Sequence, residues 1–132
     1  MPERTPEETA LEFVRRINDR DLAGVVEMMT DDHVFADSGG AIQRGRDVMR
    51  AGWQSYLTSF PAYRIRVERV LRGGDDVALV GSVSGSHAGA DAERDQVVAW
   101  AVAVRGEQVA GWRVYVDDPK LRALAARRRK SD

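Results

Sequence analysis

Of the side chains that could move a proton, one that stands apart is Asp37, in the stretch "DDHVFADSGG" at residues 31–40. It follows the apolar Val34 and Phe35 and precedes Ser38-Gly39-Gly40, a turn sequence. An acid in that place has two readings. It can bond its own backbone and shape the turn. It can also be aimed into a pocket, where apolar neighbours such as Phe35 and Trp53 would disfavour its charged form and make it a stronger general base. The two histidines are His33 and His87. His33 shares strand parity with Phe35 and Asp37 and could face the same side; the alternative is a partly exposed ring paired with Asp31 or Asp32. His87 lies in the polar stretch from Ser86 to Asp95, either solvated or at a pocket rim. Trp53, Tyr56 and Phe60 recur at helical spacing, which is the pattern of a core stripe or of a pocket wall. Trp100 and Trp112 fall on apolar strands, placed to stack on a flat ligand and orient it through their polar tips. Ser82 and Ser84 offer hydroxyls to a pocket, or belong to a solvated strand face.

Whole classes of chemistry are excluded. There is no cysteine, so disulfides, thiolate chemistry and Cys-based metal sites are ruled out. Two histidines argue against a dedicated zinc site, and no metal or cofactor is expected. The glycine pairs 39–40 and 73–74 are turn formers; the chain carries no Walker or dinucleotide motif. With 43% apolar residues, 31% charged residues and a net charge of -1, the composition is globular and gives no reason to expect nucleic acid. The opening "MPERTPEE" is polar and acidic rather than a signal peptide, and no apolar run approaches the roughly 20 residues of a membrane span. A cytoplasmic protein with no membrane contact is expected. "RRRK" at 127–130 reads as the solvated end of a helix, and residues 125–132 as a frayed basic tail.

These residues must be positioned by one domain, residues 1–132. "TPEETALEFVRRIN" carries a helix start: Thr5 as N-cap, Pro6 at the first helical position, and Glu8 in capping-box spacing. Ala10, Leu11, Phe13, Val14 and Ile17 make its apolar face. Asp21 caps a second helix, "LAGVVEMM". "HVFAD" and "AIQRG" are short strands around the Ser38-Gly39-Gly40 turn. "RDVMRAGWQSYLTSF" is a third helix, stopped by Pro61. Four strands follow: "YRIRVERVL", "VALVGSVSG", "QVVAWAVAV" and "VAGWRVYV". The third of these is so apolar that burial on both faces is expected. A last helix would start at Asp118-Pro119. Helices segregated ahead of a strand meander imply an α+β fold.

This order, together with the phrases "FVRRINDRDLAGVVEMMTDDHVFAD", "RGRDVMRAGW", "SFPAYRI" and "VAGWRVYVDD", resembles the nuclear transport factor 2-like superfamily, in its SnoaL-like and ketosteroid isomerase-like branch. The resemblance implies a cone-shaped α+β barrel, with three N-terminal helices packed on a strongly curved mixed or antiparallel sheet. It also implies a pocket for a hydrophobic, steroid- or polyketide-like small molecule, and a homodimer paired through the sheet. By the same resemblance Asp37 takes the position of the isomerases' general base. The hydrogen-bond donors that accompany that base fall at Phe13 and Trp100, where a phenol and a carboxylic acid are missing. The limonene epoxide hydrolase residues fall at Ser82, Ser84, Val114, Phe35 and Asp37, so that constellation is replaced. "SGSHAG", with His87, is similar to a phrase of the SnoaL-type cyclases. The expected site is therefore Asp37 as catalytic acid or base, with Phe13, Phe35, Trp53, Tyr56, Ser84, His87, Trp100 and Val114 around the ligand. Isomerase- or cyclase-like acid/base chemistry is one outcome. A non-catalytic ligand-binding or dimeric module is another, and epoxide opening, which needs a second carboxylate facing Asp37, is a third.

Overall fold

A computed structural model describes residues 3–117. The chain runs through helices α1 (Pro6–Asn18) and α2 (Leu22–Glu27), strands β1 (Met29–Ala36) and β2 (Ile42–Arg44), and helix α3 (Arg46–Ser59). Strands β3 (Arg64–Gly73) and β4 (Asp76–Ser84) come next, then a short helix α4 (Ala90–Arg94) and strands β5 (Val97–Arg105) and β6 (Gln108–Asp117). The expected last helix and basic tail lie outside the described residues.

Local chemistry starts the helices where the sequence says it should. The Thr5 hydroxyl accepts from the Glu8 N–H at 3.1 Å while the Glu8 carboxylate accepts from the Thr5 N–H at 2.9 Å. Together they close a capping box over α1. Asp21 accepts from the Gly24 N–H and caps α2. A Cβ on Gly24 would stand 2.2 Å from the Asp21 carboxylate, so the cap needs a glycine there. The second helix stops at Glu27, two residues short of expectation, because Met29 is taken into the sheet.

The sheet has the order β2-β1-β6-β5-β4-β3. The strands from β3 to β6 form an antiparallel meander, and β1 lies parallel to β6, which makes the sheet mixed. Curvature comes from an irregularity between Val67 and Arg69, where β3 carries one extra residue against β4. Gly81 faces that place, and a Cβ there would lie 1.9 Å from the Arg66 carbonyl oxygen. Only glycine lets the two strands approach this closely.

The curved sheet wraps α1 and α3. Phe13 and Ile17 of α1 are fully buried against Val109, Trp112, Trp100 and Leu79 of the strands. Each such side chain contributes roughly 1.5–3 kcal/mol by leaving water. Polar bonds then fix how the helices sit. The Asn18 amide bonds both the N–H and the carbonyl of Ile65 at 2.9 Å, acting as a strand partner for β3. Arg46, at the start of α3, reaches the Met29 carbonyl at 2.8 Å and the Asp31 carboxylate at 3.0 Å.

One expectation is corrected in β5. Its inward residues Val98, Trp100, Val102 and Val104 are buried, but Ala99, Ala101 and Ala103 are half-buried and Val97 is 42% exposed. Within one chain no second layer covers the outer face, and small alanines keep the strand apolar throughout. Among the described residues no helix is long and apolar enough to cross a membrane.

Candidate functional site

The helices leave one end of the cone open. A cavity of about 660 Å³ lies there between the end of β1, the turn after it, α3 and β6. From the expected set, Phe35, Asp37, Trp53, Tyr56, His87 and Val114 line it. A second cavity of about 270 Å³ adjoins it, walled by Val83 of β4, Val98 and Trp100 of β5, and Val114 and Val116 of β6. Trp100, buried in the sheet, therefore serves this second cavity.

Asp37 does what both of its readings asked. Its Oδ1 accepts from the Gly39 N–H at 2.9 Å and the Ala41 N–H at 3.0 Å, so it builds the turn. It also lines the cavity. The enclosure expected from Phe35 and Trp53 is not found at the carboxylate, which is exposed. The turn carries it beyond the end of β1, to the rim rather than the wall. Among the described residues lining either cavity, Asp37 is the single acid. The second carboxylate that an epoxide-opening site requires is not brought opposite it.

Phe13 and Ser84 are not brought into the site. Phe13 packs in the core with its ring 5.0 Å from Trp112 and 6.3 Å from His33. Ser84 falls on the outward parity of β4: Val77, Leu79 and Gly81 point into the core, and Ser82 and Ser84 alternate with them. Ser84 is exposed at the strand end.

His33 is corrected as well. It is neither partly exposed nor paired with an acid. Asp31 bonds Arg46 and Asp32 bonds Arg105, while His33 is fully buried with Nδ1 2.8 Å from the Val109 carbonyl oxygen. A carbonyl only accepts, so Nδ1 carries the hydrogen and Nε2 is left bare, buried and without a partner among the described residues. Burial holds its pKa below the ordinary histidine value, against the opposing pull of the Val109 bond and the Asp32 charge. The parity argument held: Phe35 pairs with Trp112, and Trp112 and His33 both pack on Phe13, so His33 faces the same side as Phe35 but lies deeper, in the core.

His87 is the opposite case. It is exposed at the rim, and its Nδ1 lies 2.8 Å from the Tyr56 hydroxyl. That hydroxyl also accepts from the His87 backbone N–H at 3.3 Å. The phenol can give its hydrogen to Nδ1, and a neutral ring bonded in that way carries its own hydrogen on Nε2. Tyr56 packs edge-on against Tyr63 at 5.0 Å and tilted on Phe60 at 4.8 Å. Burial raises the pKa of Tyr56, and raises that of Tyr63 further, so both phenols stay protonated donors. Trp53 is 6% exposed and its indole N–H has no partner among the described residues.

Sequence reasoning missed Tyr63, Gln43, Ser55 and Ser59 in the lining. Part of this was readable. Gly52, Ser55 and Ser59 recur at helical spacing beside the aromatic stripe of α3, so small residues set the wall back where the aromatics frame it. Gln43 and Tyr63 come from other elements and left no local signal.

Residues 10–114 match the family model described as SnoaL-like domain. No curated protein matches the chain by sequence. Solved structures share its fold. A nuclear transport factor 2-like protein of unknown function from Cytophaga hutchinsonii superposes with a TM-score of 0.70 at 14% identity, covering 91% of this chain and 96% of that one. A protein provisionally named a SnoaL-like polyketide cyclase, from Shewanella putrefaciens, gives 0.70 at 10% identity, covering 85% and 79%. One provisionally named a ketosteroid isomerase, from Kribbella flavida, gives 0.69 at 15%, covering 86% and 78%. At these identities the likeness is one of fold, the cone-shaped α+β barrel.

Proposed function

The chain belongs to the SnoaL-like domain family, and on that premise we propose that it binds a flat, hydrophobic small molecule carrying a carbonyl and performs isomerase- or cyclase-like proton transfer on it. The observation that carries this reading is the cavity itself. About 660 Å³, walled by Phe35, Trp53, Tyr56, Phe60 and Trp112 and holding one acid at its rim, is the size and character of a small-molecule site. Asp37 takes the proton from the carbon next to the carbonyl. It then returns that proton to another carbon, or the enolate carbon attacks a second carbonyl, closing a ring, and the alkoxide formed there takes the proton back from Asp37. The Nε2 hydrogen of His87 and the unpartnered indole N–H of Trp53 are donors in the lining that can meet the developing oxyanion.

The first test is thermal stability against flat ketones, phenols and quinones. A ligand at about 100 times its Kd adds roughly 2.7 kcal/mol, a rise of several degrees for a domain of this size. With a hit in hand, Asp37→Asn should lower turnover about 100- to 10,000-fold while binding stays within a few-fold. Binding with no turnover in either protein would leave a non-catalytic binding module. One observation favours that second reading: the Asp37 carboxylate is exposed and already bonded to Gly39 and Ala41.

The proposal includes a homodimer through the outer face of the sheet. Ala78, Val80, Ala99, Ala101 and Ala103 give that face a small apolar centre, flanked by Arg69 and Arg113, and Tyr115 stands on it 56% exposed. Ala101→Glu at its centre should turn a dimer into a monomer in sedimentation without lowering helix content. A wild-type protein that sediments as a monomer would remove this part.

A further inference from the structure

The two cavities are one space with a partition in it. They share Ser38, Tyr56, Tyr63, His87 and Val114, the residues at the waist between them. Tyr63 is buried and Val114 belongs to β6, so neither can move aside. Tyr56 is packed on Trp53, Phe60 and Tyr63 and holds its place too, but the ring of His87, in the loop after β4, can turn. The two are joined at the waist by the 2.8 Å bond between Tyr56 Oη and His87 Nδ1. Resting on the small-molecule reading above, we propose that this hydrogen bond sets the length of ligand the site admits. Closed, it confines a compact ring system to the larger cavity. Displaced, it joins both cavities for an elongated flat molecule.

The loop is built for a side-chain swing on a fixed base. Gly85, at φ +66°, is wedged where a Cβ would lie 2.4 Å from the Ala62 carbonyl oxygen, so the loop's start is pinned. The Ser86 N–H and hydroxyl both bond the Glu93 carboxylate, the former at 2.7 Å. The Ala88 N–H bonds the Ser86 hydroxyl at 3.2 Å. The backbone is held on both sides of His87 while its ring is exposed. Rotating that ring outward breaks one exposed side-chain hydrogen bond, a change of about two- to tenfold in an equilibrium. An incoming ligand recovers it by covering Val83, Val98, Trp100 and Val116. The far cavity also offers Gln96, whose amide can donate to or accept from a polar group on the ligand's distal end.

The test is a ladder of flat ketones with two, three and four fused rings: 1-tetralone, anthrone and naphthacenequinone. Their dissociation constants would be measured for the wild type, Tyr56→Phe and His87→Ala. Tyr56→Phe keeps both rings and deletes only the hydroxyl. Both variants should raise the ratio of four-ring to two-ring affinity by about two- to tenfold. In the wild type the four-ring probe should also displace the His87 Nδ1 resonance away from its hydrogen-bonded position, as the two-ring probe should not. Binding in which the ratio stays at the wild-type value overturns the partition and leaves the small-molecule reading standing. A ratio that moves in His87→Ala but not in Tyr56→Phe overturns it too, because space and not the bond would then be the determinant. Failure of all three probes on all three proteins removes the small-molecule reading and the partition with it.

Discussion

His33 and His87 sit at opposite ends of the same cone, and each has its Nδ1 2.8 Å from an oxygen. The oxygens differ, and that decides everything else. A carbonyl forces His33 to donate from Nδ1, and the surrounding core leaves Nε2 with nothing to meet. A phenol lets His87 accept at Nδ1 and keeps its Nε2 hydrogen for something outside the protein. The closed end has spent its polar groups on holding strands together, with His33 tying β1 to β6 and stacking on Phe13. The mouth keeps several unspent: a histidine hydrogen, the Tyr63 phenol and the second oxygen of the Asp37 carboxylate. A folded domain needs the first kind of arrangement and a site needs the second.

The comparison can be broken first on stability. His33→Ala leaves a cavity and an unpaired Val109 carbonyl, and should cost about 2–4 kcal/mol in chemical denaturation. His87→Ala, at the exposed rim, loses one exposed hydrogen bond and should cost no more than about 1.5 kcal/mol. Equal losses would mean that the mouth is structural too.

A smaller effect should follow from pH. His33 has its pKa lowered by burial, so the unfolded chain binds that proton more readily than the folded one. Its contribution is present in full above the unfolded value of about 6.5 and is lost as pH falls below it. The slope is at most about 1.4 kcal/mol per pH unit for a single proton, and ends where the folded histidine titrates. Denaturation curves between neutral and mildly acid pH would show it, and His33→Phe should flatten that part of the dependence. A slope unchanged by that substitution would place the acid sensitivity elsewhere.

The finest difference carries no stability at all. With two histidines in the chain, nitrogen resonances can be assigned by substitution. At neutral pH His33 should be the Nδ1–H tautomer and His87 the Nε2–H tautomer. The same tautomer at both would undo the contrast drawn from the hydrogen bonds.

How much of this was readable beforehand follows the range of each interaction. Thr5 and Glu8 lie three residues apart, so the capping box of α1 was visible, as was Asp21 ahead of α2. Alternation marked β3, β4 and β6. It misjudged β5, because an alanine facing water and an alanine facing core look alike in sequence; Ala99 and Ala101 took their place from the pleat alone. It also missed the first residues of β1. "MTDD" reads as a helix end running into a turn, yet Met29 pairs with Val109 far along the chain.

At the site, Asp37 could be singled out because its partners, Gly39 and Ala41, are neighbours in the chain. The aromatic stripe of α3 was legible from its spacing. The place of His87 at the rim was also expected. What remained hidden was its partner, Tyr56, on another element, and the fully buried place of His33 in the core.

The sequence by itself determined the helix starts, the turn at Asp37, the outline of the strands and, through its phrases, the SnoaL-like kinship. These rest on residues within a few positions of each other, whose interactions form whatever the rest of the chain does. Only the tertiary structure decided that β1 lies parallel to β6, that Ser84 turns away from the cavity, and that Tyr56 meets His87 at the waist between two cavities. Each of those depends on register. A shift of one residue in a strand exchanges its two faces, and register is set by how the whole sheet curves around its helices.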